Sequence, residues 1–165
     1  MIVREIRLED AEQFLNLTKN IDQSGFMLYE PGERTTTIEE QQRIINRILN
    51  EDNSNIFVAE INDQLVGYLV AIGGNVTRNK HCAYLVLGVG DDYQGRGIAT
   101  KLFETLFNWA KGVGITRLEL TVIKNNVKAI HLYRKIGFIE EGEKVNSLMI
   151  NGEYVNEYYF YKLLN

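Results

Sequence analysis

Apolar and polar positions along this chain alternate with two different periods, and the places where the period changes divide it into strands and helices. Ile2 to Leu8 sets apolar Ile2, Ile6 and Leu8 against charged Arg4, Glu5 and Arg7, which predicts a strand with one wet face. Asp10 then caps a helix whose apolar positions Ala11, Phe14, Leu15 and Leu17 fall on one face, ending near Asn20. Residues 21–36 keep neither period and hold the only proline, in a Pro31-Gly32 turn. Thr37 and Glu40 form a capping-box pair ahead of a helix reaching about Asn50, with Ile38, Ile45, Ile48 and Leu49 near one face. Ile56–Ile61 and Leu65–Ile72 flank the turn pair Asn62-Asp63 and read as a hairpin. Gly73-Gly74-Asn75 interrupts the sheet before a further strand, Cys82–Val89. Gly67 and Gly88, inside these strands, mark either bulges or points where a ligand nears the backbone.

The clearest amphipathic helix comes next. Ile98, Leu102, Leu106 and Ala110 step by four beside a second row of Ala99, Phe103 and Phe107, and Gly112 and Gly114 end it. Arg117–Val122 alternates again, so the segment from Cys82 to Val122 is a strand, helix, strand unit. Its two strands should run parallel, with the turn after Val89 at the C-terminal end of the first. Asn125 or Asn126 caps another helix, through Ile136, that Gly137 stops. Two last strands, Phe138–Asn146 and Tyr154–Leu164, flank Asn151-Gly152. Tyr158, Tyr159, Phe160 and Tyr161 crowd the second, so alternate rings face opposite sides and some belong to the core. The expectation is one α/β domain spanning residues 1–165.

Composition narrows the function classes. With 165 residues, 45% of them hydrophobic, the chain can bury a full core as a single domain. A net charge of -4, with no Lys/Arg cluster among aromatics, argues against a nucleic-acid partner and suits a small cationic one. The charged start MIVREIRLED and the lack of any apolar run near the ~18 residues of a membrane span point to a soluble protein with no membrane partner. Cys82 is the only cysteine and lies in an apolar run, as a buried structural thiol does, and a cytoplasmic location fits it. No metal is expected.

Candidate chemistry concentrates in Val89–Thr100, VGDDYQGRGIAT. Glycines and free N–H groups at the start of a helix suit an anion such as a pyrophosphate, because unpaired donors and the positive end of the helix dipole both favour it. A nucleotide P-loop is excluded by the missing Lys-Ser/Thr, and a dinucleotide fingerprint by Thr100 where a third glycine belongs. In the irregular connection, Phe26, Met27, Leu28 and Tyr29 either tuck onto the core or wall a pocket, where Glu30 and Glu33 could meet a cation.

Two motifs give these residues a family likeness. Gln94-Gly95-Arg96-Gly97-Ile98-Ala99 is similar to the Q/R-x-x-G-x-G/A motif of the GNAT superfamily of acyl-CoA-dependent N-acyltransferases. About thirty residues on, Asn126, Ala129, Leu132, Tyr133, Gly137 and Phe138 resemble its N-x-x-A-x-x-L-Y-x-x-x-G-F. The resemblance implies a twisted mixed sheet of six or seven strands, helices on both faces and two central parallel strands that splay apart. Acetyl-CoA, the implied co-substrate, would enter that cleft, its pantetheine arm pairing with Leu87 and Val89 like an added strand. Its pyrophosphate would rest on N–H groups from Gln94 through Thr100, with Arg96 near a phosphate oxygen and Asn126 on the opposite lip. The likeness further implies that Tyr133 is the general acid for the leaving thiolate and that the Val89 N–H stabilises the oxyanion.

The family's base is the gap. Many relatives carry a glutamate on the strand before the turn, but here it reads HCAYLVLGV. His81, His131, Tyr84 and, through water, Glu30 or Glu33 are the alternatives. Asp91 stands where relatives often have proline, a change that bears on the turn. The implied activity is direct acetyl transfer to a primary amine of a small molecule or a protein, or, failing catalysis, acetyl-CoA binding alone. The aromatic last strand is a candidate for pairing across a homodimer.

Overall fold

A computed structural model describes residues 1–165. In chain order the elements are β1 (Ile2–Glu5), α1 (Ala11–Asp22), α2 (Ile38–Leu49), β2 (Asn55–Ile61), β3 (Gln64–Gly73), β4 (Cys82–Val89), α3 (Ile98–Gly112), β5 (Arg117–Ile123), α4 (Val127–Lys135), β6 (Ile139–Ile150) and β7 (Glu153–Leu163). All seven strands form one sheet in the order β1-β2-β3-β4-β5-β7-β6. Only β4 and β5 are parallel neighbours; every other pair is antiparallel. No helix is long and apolar enough to cross a membrane.

Strand alternation makes two cores from one sheet. Phe57, Leu69, Leu85, Leu118, Leu120 and Phe160 point to one face, where they pack with Ile98, Leu102, Phe103 and Leu106 of α3 and Tyr133 of α4. Ile56, Val58 and Tyr68 point to the other, against Ala11, Phe14 and Ile21 of α1 and Ile45 and Ile48 of α2. The α1/α2 pair reaches only as far as β4, so β5, β7 and β6 have no helix over that face.

Several boundaries differ from the expectation. The first strand stops at Glu5 because Leu8–Asp10 forms a 3-10 turn, in which the Asp10 carboxylate takes the Arg7 N–H at 2.8 Å and a two-point bond from Arg4. Helix α1 runs on to Asp22, and α4 ends at Lys135. Strand β6 extends to Ile150 by absorbing irregularities at Glu140/Gly142 and Lys144/Leu148, with Asn146 at φ 52°. Gly67 borders an irregularity in which Val66 is left over between the Ala59–Gly67 and Glu60–Leu65 pairs, whereas Gly88 lies in an unbroken register. A Cβ at Gly88 would meet the Tyr68 ring at 2.6 Å, and one at Gly67 would press on Ile98 of α3 at 3.2 Å, so both glycines serve close packing.

Burial alone would raise the Asp10 pKa, but the Arg4 and Arg7 donors outweigh it and hold the carboxyl below its ordinary range. The stability this confers is complete above the ordinary carboxylate range and is lost as pH falls through the lowered value. Asp10→Asn should therefore lower stability by about 1–3 kcal/mol at pH 7 and flatten its decline in acid, both read from urea midpoints. Phe103, fully buried among Phe107, Tyr133 and Phe138, should cost about 3–5 kcal/mol when replaced by alanine, checked the same way.

Candidate active site

The parallel pairing of β4 with β5 is brief. It covers Cys82 with Arg117, Ala83 with Leu118 and Tyr84 with Glu119, and then stops. Strand β4 nevertheless stays on β3 as far as Val89, and β5 stays on β7 as far as Ile123. Each strand thus follows its own outer neighbour, and sheet twist carries the two apart.

Strand parity shows which backbone groups face the gap. The Gly90 N–H bonds Val66 at 2.9 Å and the Cys82 carbonyl accepts from Gly74 at 3.0 Å, so even-numbered residues of β4 turn toward β3. Ala83, Leu85, Leu87 and Val89 therefore turn toward β5, and Leu87 and Val89 lie beyond the last paired rung. On β5, the Thr116 carbonyl and the Lys124 N–H bond β7 and its flank, leaving Thr121 and Ile123 to face the gap. Their place on the second lip was not apparent from sequence.

The glycine turn closes one end. After a 3-10 turn, Asp91–Tyr93, the Gln94 N–H donates to the Asp91 carbonyl at 3.4 Å and is thus spent inside the turn, contrary to its expected place in the cradle. Asp91 is the first residue of this turn. From Gly95 to Thr100 the N–H groups have no acceptor within the protein, and the α3 N-terminus has no side-chain cap. Gly95 and Gly97 sit at φ 75° and 78° with open space where a Cβ would be, so it is their left-handed backbone that requires glycine. The Arg96 guanidinium lies 5.2 Å from the Tyr93 ring centroid. Lys128, on α4, crosses the gap to the Gln94 side-chain oxygen at 3.4 Å, a basic group at the cradle that sequence reading missed.

Tyr133 stands on the α3/α4 side, 7% exposed, its ring against Phe103, Phe138 and Phe160. Burial, reinforced by the Tyr84 and Tyr68 phenols from the opposite face, pushes its pKa well above the ordinary phenol value, so it stays protonated at neutral pH. Tyr68, also buried, is pushed up to about 12 by burial, with Arg34 opposing and Asp22 adding. The one sealed polar side-chain atom without a partner is Ser147 Oγ, so the Tyr133 hydroxyl, which makes no protein hydrogen bond, opens onto space. Asn126 is the cap of α4, its Oδ1 accepting the Ala129 N–H at 3.4 Å, and thereby sits just past the β5 lip.

On the other face, the uncovered part of the sheet carries a cavity of about 350 Å³ lined by Tyr84, Glu119, Leu120, Thr121, Glu141 and Tyr159. The Tyr84 hydroxyl reaches Thr121 Oγ1 at 2.9 Å. Arg117 ties Glu119 at 3.2 Å and also Glu141, while its guanidinium lies 5.1 Å from the Tyr161 ring centroid. Burial works against the Arg117 charge, but Glu141 and Glu119 together raise its pKa.

The remaining sequence candidates lie elsewhere. Phe26, Leu28 and Tyr29 are exposed in the connection, where only Met27 packs on the core, so the apolar run neither tucks in as a whole nor lines the cavity. Glu33 accepts the Glu30 N–H at 3.3 Å within the turn, and both side chains are exposed. Arg34, not these glutamates, reaches inward, to the buried Asp22 at 2.8 Å. His81 precedes β4, at the end away from the glycine turn, and contacts Cys82 Sγ at 3.5 Å. Eight residues of strand place it roughly 26 Å from Val89, which removes it as a base at the cleft. His131 is exposed on α4.

Comparison with known proteins bears on what such a cleft is for. Residues 16–138 match the acetyltransferase (GNAT) family. Spermidine N(1)-acetyltransferase of Escherichia coli (strain K12) is 28% identical over 155 residues, 93% of this chain and 81% of that protein. L-amino acid N-acetyltransferase AaaT of the same strain is 35% identical over 106 residues, 62% of this chain and 64% of that one. An acetyltransferase of the GNAT family from Streptococcus pneumoniae superposes with a TM-score of 0.94 over 98% of both chains at 28% identity. A phosphinothricin acetyltransferase from Sinorhizobium meliloti, solved in complex with AcCoA, shares the fold at a TM-score of 0.88 over 99% of this chain and 88% of that one, at 17% identity. With a splayed β4–β5 pair, an open N–H cradle before α3 and a match over most of its length, the chain belongs to the GNAT family of acetyltransferases.

Proposed function

We propose that this protein transfers an acetyl group from acetyl-CoA directly to the primary amine of a small molecule. The observation that carries the reading is the alignment of two sets of unused backbone groups, those of Leu87 and Val89 along the gap and those of Gly95 to Thr100 at its end. An extended amide-bearing arm ending in a diphosphate satisfies both at once. The relatives named for spermidine and for L-amino acids support a small amine over a protein one.

Bound acetyl-CoA supplies a thioester whose carbon an amine can attack. The N–H groups of Gly95, Arg96, Gly97, Ile98, Ala99 and Thr100 hold the diphosphate, and Arg96 and Lys128 add positive charge beside it. Leu87 and Val89 pair with the arm, and Asn126 flanks it from the α4 side. The Val89 N–H, or that of Leu87 one rung deeper, donates to the thioester oxygen as negative charge grows there. Tyr133, kept protonated by its surroundings, gives its phenolic proton to the departing sulfur. The steepest demand is a neutral acceptor nitrogen, since deprotonating an ordinary alkylammonium of pKa ~10 at pH 7 costs about 4 kcal/mol.

Calorimetry with acetyl-CoA and free-thiol release across a panel of amines test the whole reading. Heat of binding together with amine-dependent thiol release is expected; coenzyme uptake without release for any amine would leave only a binding module. Tyr133→Phe should lower turnover about 10²-fold and leave acetyl-CoA affinity within about twofold. Gly97→Ala, forced into a left-handed backbone, should lose about 1–2 kcal/mol of stability and weaken acetyl-CoA binding about tenfold, read by urea titration and calorimetry.

A further inference from the structure

Strand β4, CAYLVLGV, carries no carboxylate, yet the neighbouring strand β5 brings one to the edge of the gap. Glu119 is the β5 member of the last paired rung, opposite Tyr84, at the closed end of the gap. Alternation fixes its face: Leu118 and Leu120 point into the α3/α4 core, so Glu119 points to the opposite side, into the cavity that no helix covers. Arg117 Nε holds Oε2 of Glu119 at 3.2 Å, which leaves Oε1 without a protein partner in a residue that lines the cavity. Glu141 does not compete for this role. It belongs to β6, two strands beyond β5 in the sheet and so farther from the gap, and its Oε1 takes the other arm of Arg117. Tyr84 and Thr121, joined at 2.9 Å, carry hydroxyls from the Glu119 side of the cavity toward the open part of the gap.

We infer that Glu119 is the general base of the reaction, a carboxylate supplied by β5 in place of the absent one on β4, and that Arg117 positions it. This assignment rests on the acetyltransferase reading above. The acceptor nitrogen forms its bond to the thioester carbon as the carbon–sulfur bond breaks. One N–H proton passes to Glu119 through water beside the Tyr84–Thr121 pair, which bridges the roughly 10 Å of strand between the Glu119 rung and Leu87, and Tyr133 protonates the sulfur. Solvent returns a proton to Tyr133 and removes one from Glu119, so the enzyme is restored and the net products are an amide and a free thiol. Base and acid thus act from opposite faces of one sheet. The charged and titratable groups facing Glu119 are Arg117 on its own strand, Cys82 and Tyr84 on β4, Glu141 on β6, and Tyr159 and Tyr161 on β7. Arg117 bears the one positive charge among them and is shared with Glu141, so substitutions at either residue serve as controls for its field.

The test compares Glu119→Gln, Glu119→Asp and Glu141→Gln, with spermidine, putrescine and the L-amino acids as acceptors. Calorimetry of acetyl-CoA, and of the turned-over amine in the presence of coenzyme A, reads binding separately from chemistry. For Glu119→Gln, kcat should fall about 10²-fold and its decline toward low pH should disappear, while both affinities stay within about threefold. Glu119→Asp should restore part of kcat together with the acid decline, and Glu141→Gln should keep that decline. Unchanged kcat and pH profile in Glu119→Gln, or a loss confined to amine affinity, overturns the assignment and leaves the acetyltransferase reading standing. A wild-type protein that consumes no acetyl-CoA with any of these amines overturns both.

Discussion

A backbone amide or carbonyl removed from bulk water must find a partner, and this sheet leaves several without one along a single seam. Beyond Tyr84 and Glu119 the inner edges of β4 and β5 offer hydrogen-bonding groups to each other across a distance they no longer span. Such groups are tolerable only where water or a ligand can reach them. The rest of the fold keeps that state from collapsing. Strand β4 is held along its outer edge by β3 through seven consecutive pairs, and β5 by β7 through seven. Each lip is thus rigid on one side and vacant on the other, which is the condition for receiving an extended chain with little rearrangement.

The two faces of the sheet divide the chemistry. Helices α3 and α4 seal one face with an aromatic cluster around Tyr133, whose hydroxyl is left as the polar end of an otherwise apolar wall. Helices α1 and α2 stop at β4, so the other face of β5, β7 and β6 stays accessible and collects charge: Arg117, Glu119 and Glu141. A dry, phenol-bearing side and a wet, charged side meet at the gap. This asymmetry comes from helix placement and strand order rather than from any single residue.

What could be read from the chain and what could not follows the same division. The glycine turn, the Asn126 cap and the position of Tyr133 on the following helix were legible because each belongs to a local pattern of a few residues at fixed spacing. The strand, helix, strand unit was legible because α3 has an unbroken apolar stripe. Glu119 and Thr121 were not, since on an alternating strand they read as an ordinary wet face. Their place beside the cavity depends on β7 inserting between β5 and β6, a long-range pairing with no local mark. The end of β1 escaped notice for a related reason. Leu8 continues the alternation, but the bond from Arg4 to Asp10 turns the chain first. Gly67 marked a register irregularity as read, and what approaches the backbone of Gly67 and Gly88 is the protein's own Ile98 and Tyr68.

The short rung between β4 and β5 has a mechanical side as well. Three residue pairs are all the ladder that joins the four-stranded half, β1 to β4, to the three-stranded half, β5, β7 and β6. Most of the cohesion across that boundary therefore falls to the core beneath α3 and α4, where Phe57, Leu69 and Leu85 of one half and Leu118, Leu120 and Phe160 of the other share one cluster. The molecule is in effect two plates glued to a common backing, with the crack between them held open by the outer neighbours of each lip.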